Sequence, residues 1–336
     1  MSNDRVKLKD IAEIAGISIN SVSRALKDGS NISIETKKRV KKIAKELGYI
    51  PDAHAQSLRN GSLNVIAIIY DNLINPYYSM MLSLVNEELK AQQYESMIFV
   101  DHHALGHLSK ELAQRIISYR VAGIISFLEP TTKASEIIKQ NKTPLVLIGR
   151  NGEYTQTNSV FSDDFKGGCL AAQKLIDLNC KSFVYVTKHA ELTVNTMRLN
   201  GFKNQLNKNN YTLDKEHIIN GNLEIIAEEK LLELLKKDKK IDGIFCFSDF
   251  IAFEITHSLQ QAGYKIPEDI NLIGYDNLQE FLPYPIKISS IDGGKTNSIK
   301  EALNIIVNQI KNGYNPSPIY KQIDVFFQEG GTTKQK

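Results

Sequence analysis

Residues 6–26 read VKLKDIAEIAGISINSVSRAL, two short amphipathic helices with a sharp break between them. Leu8, Ile11, Ile14 and Ala15 recur at helical spacing, which predicts one apolar face on a first helix. Gly16 supplies a tight turn that a side chain would obstruct. Ser18 can cap a second helix whose Val22, Ala25 and Leu26 point inward. Ile19, Asn20, Ser21, Ser23 and Arg24 are then left on or near the outer face. A helix-turn-helix needs this arrangement, because its second helix lies in the major groove and reads base edges with its first residues. An ordinary helical hairpin shares the periodicity, so the neighbouring chain must decide.

Residues 33–47, SIETKKRVKKIAKEL, form a third helix with Val40, Ile43, Ala44 and Leu47 inward. Ser33, Glu35 and Thr36 give it a capped, acidic first turn. Lys37, Lys38, Arg39, Lys41 and Lys42 lie outside. Residues 1–60 hold twelve Lys and Arg against seven Asp and Glu, about +5. The remaining chain carries 29 against 31, about −2. The overall charge of +3 therefore hides a basic head on a slightly acidic body. Beside a helix-turn-helix, such a run reads as a phosphate-contacting surface.

Pro51 ends the basic head, and residues 52–61 can form about two turns of helix, too short and polar to be stable alone. The order KLKDIAEIAGISINSVSRAL, then GYIPDAHAQSL at 48–58, resembles the lactose/galactose repressor family of bacterial transcription regulators. The likeness extends over nearly the whole chain. It implies a DNA-binding domain at 1–49 and, at 50–62, a hinge that becomes helical when two subunits place it in the minor groove. Ala53, Ala55 and Leu58 match the hinge pattern, with Leu58 at the wedge between central base pairs. The expected DNA contacts are Lys7, Ser18, Ile19, Asn20, Ser21, Ser23 and Arg24, with Tyr49, Ala55, Leu58 and Arg59 following.

At 336 residues and 42% hydrophobic, the chain can hold more than one domain. From Val65 short apolar runs alternate with helical stretches: VIAII (65–69), SMIFV (96–100), AGIISF (122–127) and LVLI (145–148), with helices near 78–93, 108–119 and 132–141. This βα rhythm implies a parallel sheet with helices on both faces. It restarts with a helix at 165–178, then SFVYV (182–186), helices near 196–209 and 224–237, GIFCF (243–247), a helix near 250–262 and NLIGY (271–275). The fold class is α/β: a three-helix helix-turn-helix domain plus two doubly wound parallel-sheet subdomains. The resemblance adds a periplasmic-binding-protein-like topology. It places 63–162 and 292–315 in the first subdomain, and 163–291 and 316–331 in the second. A helix at about 296–311 then returns to the first subdomain, and a strand near 319–327 rejoins the second.

Open α/β sheets bind ligands beyond the carboxyl ends of their strands. Asp71 follows the first strand, and Asn75-Pro76-Tyr77-Tyr78 matches the family's Asn-Pro-aromatic-aromatic motif. Two tyrosines there could lay ring faces on a sugar and donate hydroxyls. Arg198 matches the arginine that grips effector in the family, and its planar fork suits a diol or a carboxylate. Asp276 matches the effector-binding aspartate, while Ser248 and Asp249 follow GIFCF at a position that also caps the next helix. Asp163 and Asp164 sit at the first crossover. Leu223 stands where many members stack an aromatic ring, and Gly149 where an acidic residue is common before Arg150. Both departures loosen the choice of ligand.

Other classes find little support. Asp101, His102, His103 and His107 hint at a metal site, but no Cys or Glu/His set completes it. Gly293-Gly294-Lys295-Thr296 resembles the end of a phosphate-binding loop, yet Ser289 stands where that loop needs glycine. No nucleophile–base pairing or GxSxG is present, so neither an enzyme nor a cofactor is expected. Cys169, Cys180 and Cys246 are scattered, as free thiols in the core are. With no signal segment and no membrane-spanning run, a cytoplasmic, nucleoid-associated protein is expected, not an exported transport protein. The tail at 328–336 lacks a leucine heptad, which predicts a homodimer. Its partners are double-stranded operator DNA and a small effector, a sugar or sugar phosphate. The alternative is the same architecture answering to a purine, another metabolite or a protein.

Overall fold

The computed structural model describes residues 6–27, 31–50, 64–71, 74–101, 106–221, 226–281 and 286–334. The chain divides into two compact units, Met1–Leu63 and Asn64–Lys336. The first holds α1 (Leu8–Ala15), α2 (Ile19–Ala25) and α3 (Ile34–Glu46). Ile11, Val22, Ala25 and Val40 are fully buried at its centre, with Ala12, Ala15 and Ala44 closing around them. Ile14, expected inside, is 60% exposed and Ala12 takes its place. At 3.6 residues per turn Leu8, Ile11, Ala12 and Ala15 share an arc of about 100°, and Ile14 falls outside it. Gly16 ends α1 in the left-handed conformation at φ 64°. The Ser18 Oγ accepts from the Ser21 N–H at 3.1 Å, and the Ser33 Oγ from the Thr36 N–H at 3.2 Å, as the two caps require. Arg39 donates from its guanidinium to the Ala15 carbonyl, tying α3 to the end of α1.

In the second unit the chain first runs through β1 (Val65–Tyr70), α4 (Pro76–Ala91), β2 (Glu95–Val100), β3 (His107–Leu108), α5 (Lys110–Ser118), β4 (Gly123–Ser126), β5 (Glu129–Pro130), α6 (Thr132–Gln140), β6 (Leu145–Ile148) and β7 (Asn158–Ser162). A second series follows: α7 (Asp164–Asp177), β8 (Phe183–Thr187), α8 (Thr193–Lys208), β9 (Ile218–Asn220), α9 (Ala227–Lys237), β10 (Gly243–Cys246), α10 (Asp249–Gln261), β11 (Asn271–Tyr275) and β12 (Ser289–Asp292). The last elements are α11 (Lys295–Asn312), β13 (Tyr320–Ile323) and β14 (Phe326–Gln328).

These make two six-stranded sheets, ordered β13-β7-β6-β4-β1-β2 and β14-β12-β11-β10-β8-β9. The pairings are parallel except β12 with β14. Their inner strands are buried on both faces, which is why they read as unbroken apolar runs. Helix α11 packs its buried Ile299, Ala302, Leu303 and Ile306 into the core of the first sheet. The expected return strand is corrected. Tyr320–Ile323 pairs with β7 in the first sheet, and only Phe326–Gln328 joins the second. Assigning all of 316–331 to the second subdomain therefore fails for β13. The tail also reaches past 331, since Thr332 is fully buried and its Oγ donates to the Leu272 carbonyl at 2.7 Å.

The chain thus crosses three times between subdomains, and hydrogen bonds join the crossings. The Ser162 Oγ donates to the Gly293 carbonyl at 2.9 Å, and the Asp163 N–H to the Ile323 carbonyl at 3.0 Å. Helices α7 and α8 meet at Gly168 and Gly201. A Cβ on either would overlap backbone of the opposite helix, that of Arg198 for Gly168 and of Phe165 for Gly201. This close crossing fixes where Arg198 stands.

Candidate functional site

The carboxyl ends of both sheets face a cleft of about 580 Å³. On the second-subdomain wall α8 sends Arg198 inward, 8% exposed. Its Nε donates to Asp164 at 2.7 Å, Nη1 donates to the Phe247 carbonyl at 2.7 Å, and Nη2 lies 4.0 Å from Asp276. Its Cζ sits 3.4 Å from the Tyr275 ring centroid and 4.7 Å from that of Phe247. Burial works against this charge, but Asp164 and Asp276 outweigh it and raise the guanidinium above its ordinary range.

Asp276 follows β11 at φ 102°, a sparsely populated conformation for a residue with a side chain. Its N–H donates to the Ile291 carbonyl at 2.9 Å, and its own carbonyl accepts from the Lys295 Nζ at 2.7 Å. Burial pushes its carboxyl up to about 7, with Arg198 and Lys295 holding it down and Asp164 and Asp292 adding to the rise. At neutral pH the group can therefore offer an O–H or accept.

The first-subdomain wall is aromatic. Asn75 caps α4 by accepting from the Tyr77 N–H at 3.0 Å, with Pro76 in the first turn, so the Asn-Pro motif aims two tyrosines. Tyr77 and Tyr78 meet edge to face at 5.5 Å between centroids. Tyr78 also packs on Tyr70 and Phe127, at 5.5 and 5.7 Å. Burial, then Asp71, pushes the Tyr78 hydroxyl up to about 12. Phe127 and Arg150 complete this side.

Of the residues expected to touch effector, Asp71, Tyr77, Tyr78, Arg198, Ser248 and Asp276 all line this one cleft. Ser248 also caps α10, accepting from the Ile251 N–H at 3.4 Å. Asp249 is a correction: it is fully buried and is not among the lining residues. Its carboxylate accepts from the Leu278 N–H and the Ser290 Oγ, each at 2.7 Å, so it supports the turn after β11. Burial raises its carboxyl well above the ordinary range.

Sequence reasoning missed Arg150 and His189, which line the cleft, and gave Lys295 the wrong context. Lys295 bridges the Asp276 carbonyl and Asp292, the latter at 3.0 Å. The motif that failed as a phosphate loop is the second crossing, where Gly294 takes φ 69° and its N–H donates to Asp292 at 2.7 Å. Asp163 caps α7, whereas Asp164 holds Arg198. Leu223, His102 and His103 lie outside the described residues. Among the described residues no cluster of three metal-ligating side chains occurs. Cys180 and Cys246 are buried and Cys169 is half-buried, and none of the three is in a disulfide.

In the helix-turn-helix unit Lys7, Ser18, Ile19, Asn20 and Arg24 are exposed, whereas Ser21 and Ser23 are half-buried. The Ser18 and Ser21 hydroxyls also bond to each other at 2.9 Å. Tyr49 packs half-buried against the helical core. Lys38, Lys41 and Lys42 stand exposed on α3. Ala55, Leu58 and Arg59 lie outside the described residues. No helix among the described residues is long and apolar enough to cross a membrane.

Comparison with known proteins agrees with this geometry. Residues 7–52 match the bacterial regulatory proteins of the lacI family, and residues 172–324 match a periplasmic binding protein-like domain. The HTH-type transcriptional repressor PurR of Vibrio atlanticus is 26% identical over 310 residues, 90% of this chain and 92% of the relative. The protein of that name from Actinobacillus pleuropneumoniae is 28% identical over 306 residues, 90% and 91% of the two chains. The lac repressor dimer bound to operator and the anti-inducer ONPF superposes with a TM-score of 0.81 at 18% identity, over 98% of this chain and 99% of that one. A lacI-family regulator from Silicibacter pomeroyi gives 0.79 at 24% identity, over 97% and 99%. A helix-turn-helix unit joined to a two-walled α/β unit is a ligand-responsive, DNA-binding regulator of transcription, not an enzyme. The chain carries a helix-turn-helix domain of the lacI family and a periplasmic binding protein-like domain, the pairing found in its transcriptional-repressor relatives.

Proposed function

We propose that this chain is a cytoplasmic, nucleoid-associated repressor that binds a palindromic operator as a homodimer and answers to a purine-class effector in its cleft. The carrying observation is a cleft whose aromatic wall and Arg198–Asp276 wall belong to different subdomains. Tyr77 or Tyr78 offers a ring face to a planar heterocycle, and Asp276, near neutrality, bonds ring nitrogens as donor or acceptor. Asp71, Arg198 and Ser248 complete the contacts. The name PurR, borne by relatives that cover nine-tenths of the chain, supports a purine over the carbohydrate expected from the sequence. A sugar remains the second reading, because the Arg198 fork beside Asp164 also suits a diol. Solved neighbours named with cellobiose and with ribose share this fold at 20% and 23% identity.

A ligand touching both walls favours one orientation of the subdomains, since all its contacts form only there. The hinge segment at 50–62, with Ala55, Leu58 and Arg59, leads directly into β1 and carries that orientation to the DNA. A coupling of about 1–3 kcal/mol changes operator affinity roughly 5–150-fold. Thermal shift against adenine, guanine and hypoxanthine beside a panel of monosaccharides tests the reading. A purine at about 100 times its Kd adds about 2.7 kcal/mol of stability. Stabilisation by sugars alone would overturn the purine.

A further inference from the structure

Arg150 follows β6 and is 8% exposed, a guanidinium held almost wholly inside the protein. Its Nε donates to the Phe127 carbonyl at 3.4 Å, which orients the fork. Among the described residues no carboxylate comes within ion-pair distance of it, in contrast to Arg198. Its terminal nitrogens are neither bonded to described residues nor sealed from the cavity that Arg150 lines. His189, from the other subdomain, lines the same cavity, and Asp71 and Arg150 are close enough to act on its ring electrostatically.

A buried guanidinium with no ion-pair partner in contact is sustained only while water reaches it. A neutral ligand that covered it would displace that water and leave the charge unpaired. A planar fork of N–H donors is instead met by two oxygens of one anionic group, in bonds about twice as strong as neutral ones. We propose that Arg150 is the anion anchor of the cleft, so that the effector carries a phosphate or carboxylate group, with His189 flanking that group from the opposite wall. This rests on the cleft as effector site and deepens the purine reading toward a purine nucleotide or an acidic purine derivative.

Titration calorimetry of the full chain with matched pairs tests it: inosine and inosine monophosphate, ribose and ribose phosphate, glucose and glucuronate. The charged member of at least one pair should bind about tenfold tighter or more. R150Q should abolish that preference, while R150K, which keeps charge without the fork, retains part of it. Phosphate and carboxylate sources separate by which pair responds. If ribose phosphate shows the Arg150-dependent preference and no purine binds, the anchor stands and the purine reading falls. If inosine binds as tightly as its monophosphate and no other pair discriminates, the anchor is wrong and the purine reading survives. Equal losses for charged and neutral probes in R150Q would also overturn it.

Discussion

The two walls of the cleft are carried by the same βα repeat, yet they hold their polar groups in opposite states. On the second-subdomain wall Arg198 is bonded to Asp164 and the Phe247 carbonyl and lies between two rings. It stands on a helix crossing that two glycines fix. On the first wall three aromatic rings pack together, and Arg150, bonded to the Phe127 carbonyl, keeps its terminal nitrogens open to the cavity. On the proposed role of Arg150, the second wall is complete before any ligand arrives and the first becomes complete with one. A binding site assembled this way has its rigid reference on one subdomain and its selectivity on the other.

Removing Arg198 should produce the largest effect. Arg198→Ala leaves Asp164 and Asp276 buried without their shared partner, and breaking a buried pair costs about 3–5 kcal/mol. Urea unfolding should show that loss, with the effector response gone as well. A variant within about 1 kcal/mol of the parent that lost only the response would mean the second wall is not preassembled.

Asp276 gives the next effect, through pH. Its folded carboxyl titrates near 7, so between about pH 4 and 7 the folded chain keeps a proton that the unfolded chain has released. Its contribution to stability therefore falls as pH rises through that window, on the order of 1.4 kcal/mol per pH unit at most. Asp276→Asn stays neutral throughout, and Asn tolerates positive φ better than most residues. The variant should melt with a flatter pH profile between 4 and 7 than the parent. Parallel profiles would show that Asp276 is ionised in the folded chain, and the second wall would carry one more full charge.

The walls also differ in how readily the sequence disclosed them. Inner strands such as VIAIIY and LVLI are buried on both faces, so their apolar runs announce a parallel sheet. YKQI, the β13 strand, is half-exposed and polar, and its partner β7 lies some 160 residues earlier, a pairing no local pattern encodes. Tyr77, Tyr78, Arg198 and Asp276 were legible because motifs carry them. Arg150 and His189 were not, since a single Arg or His after a strand has no periodicity to mark it. Asp249 was misassigned for a related reason. An Asp after a strand looks the same in sequence whether it faces a ligand or, as here, the Leu278 N–H.

The smallest effect belongs to the first wall. Tyr78→Phe removes one hydroxyl and keeps the ring that packs on Tyr70 and Phe127. Tyr78 is half-buried at the cleft, and among the described residues its hydroxyl has no buried side-chain partner for the substitution to strand. Stability should therefore stay within about 0.5 kcal/mol of the parent. Effector affinity should fall by roughly five- to tenfold, the worth of one ordinary hydrogen bond of about 1–1.5 kcal/mol. The ratio of those two numbers separates the walls. A first-wall side chain that awaits a ligand changes binding and spares folding, whereas Arg198 changes both. If Tyr78→Phe cost 2 kcal/mol or more in unfolding at unchanged affinity, its hydroxyl would belong to the fold. The first wall would then be as complete without ligand as the second.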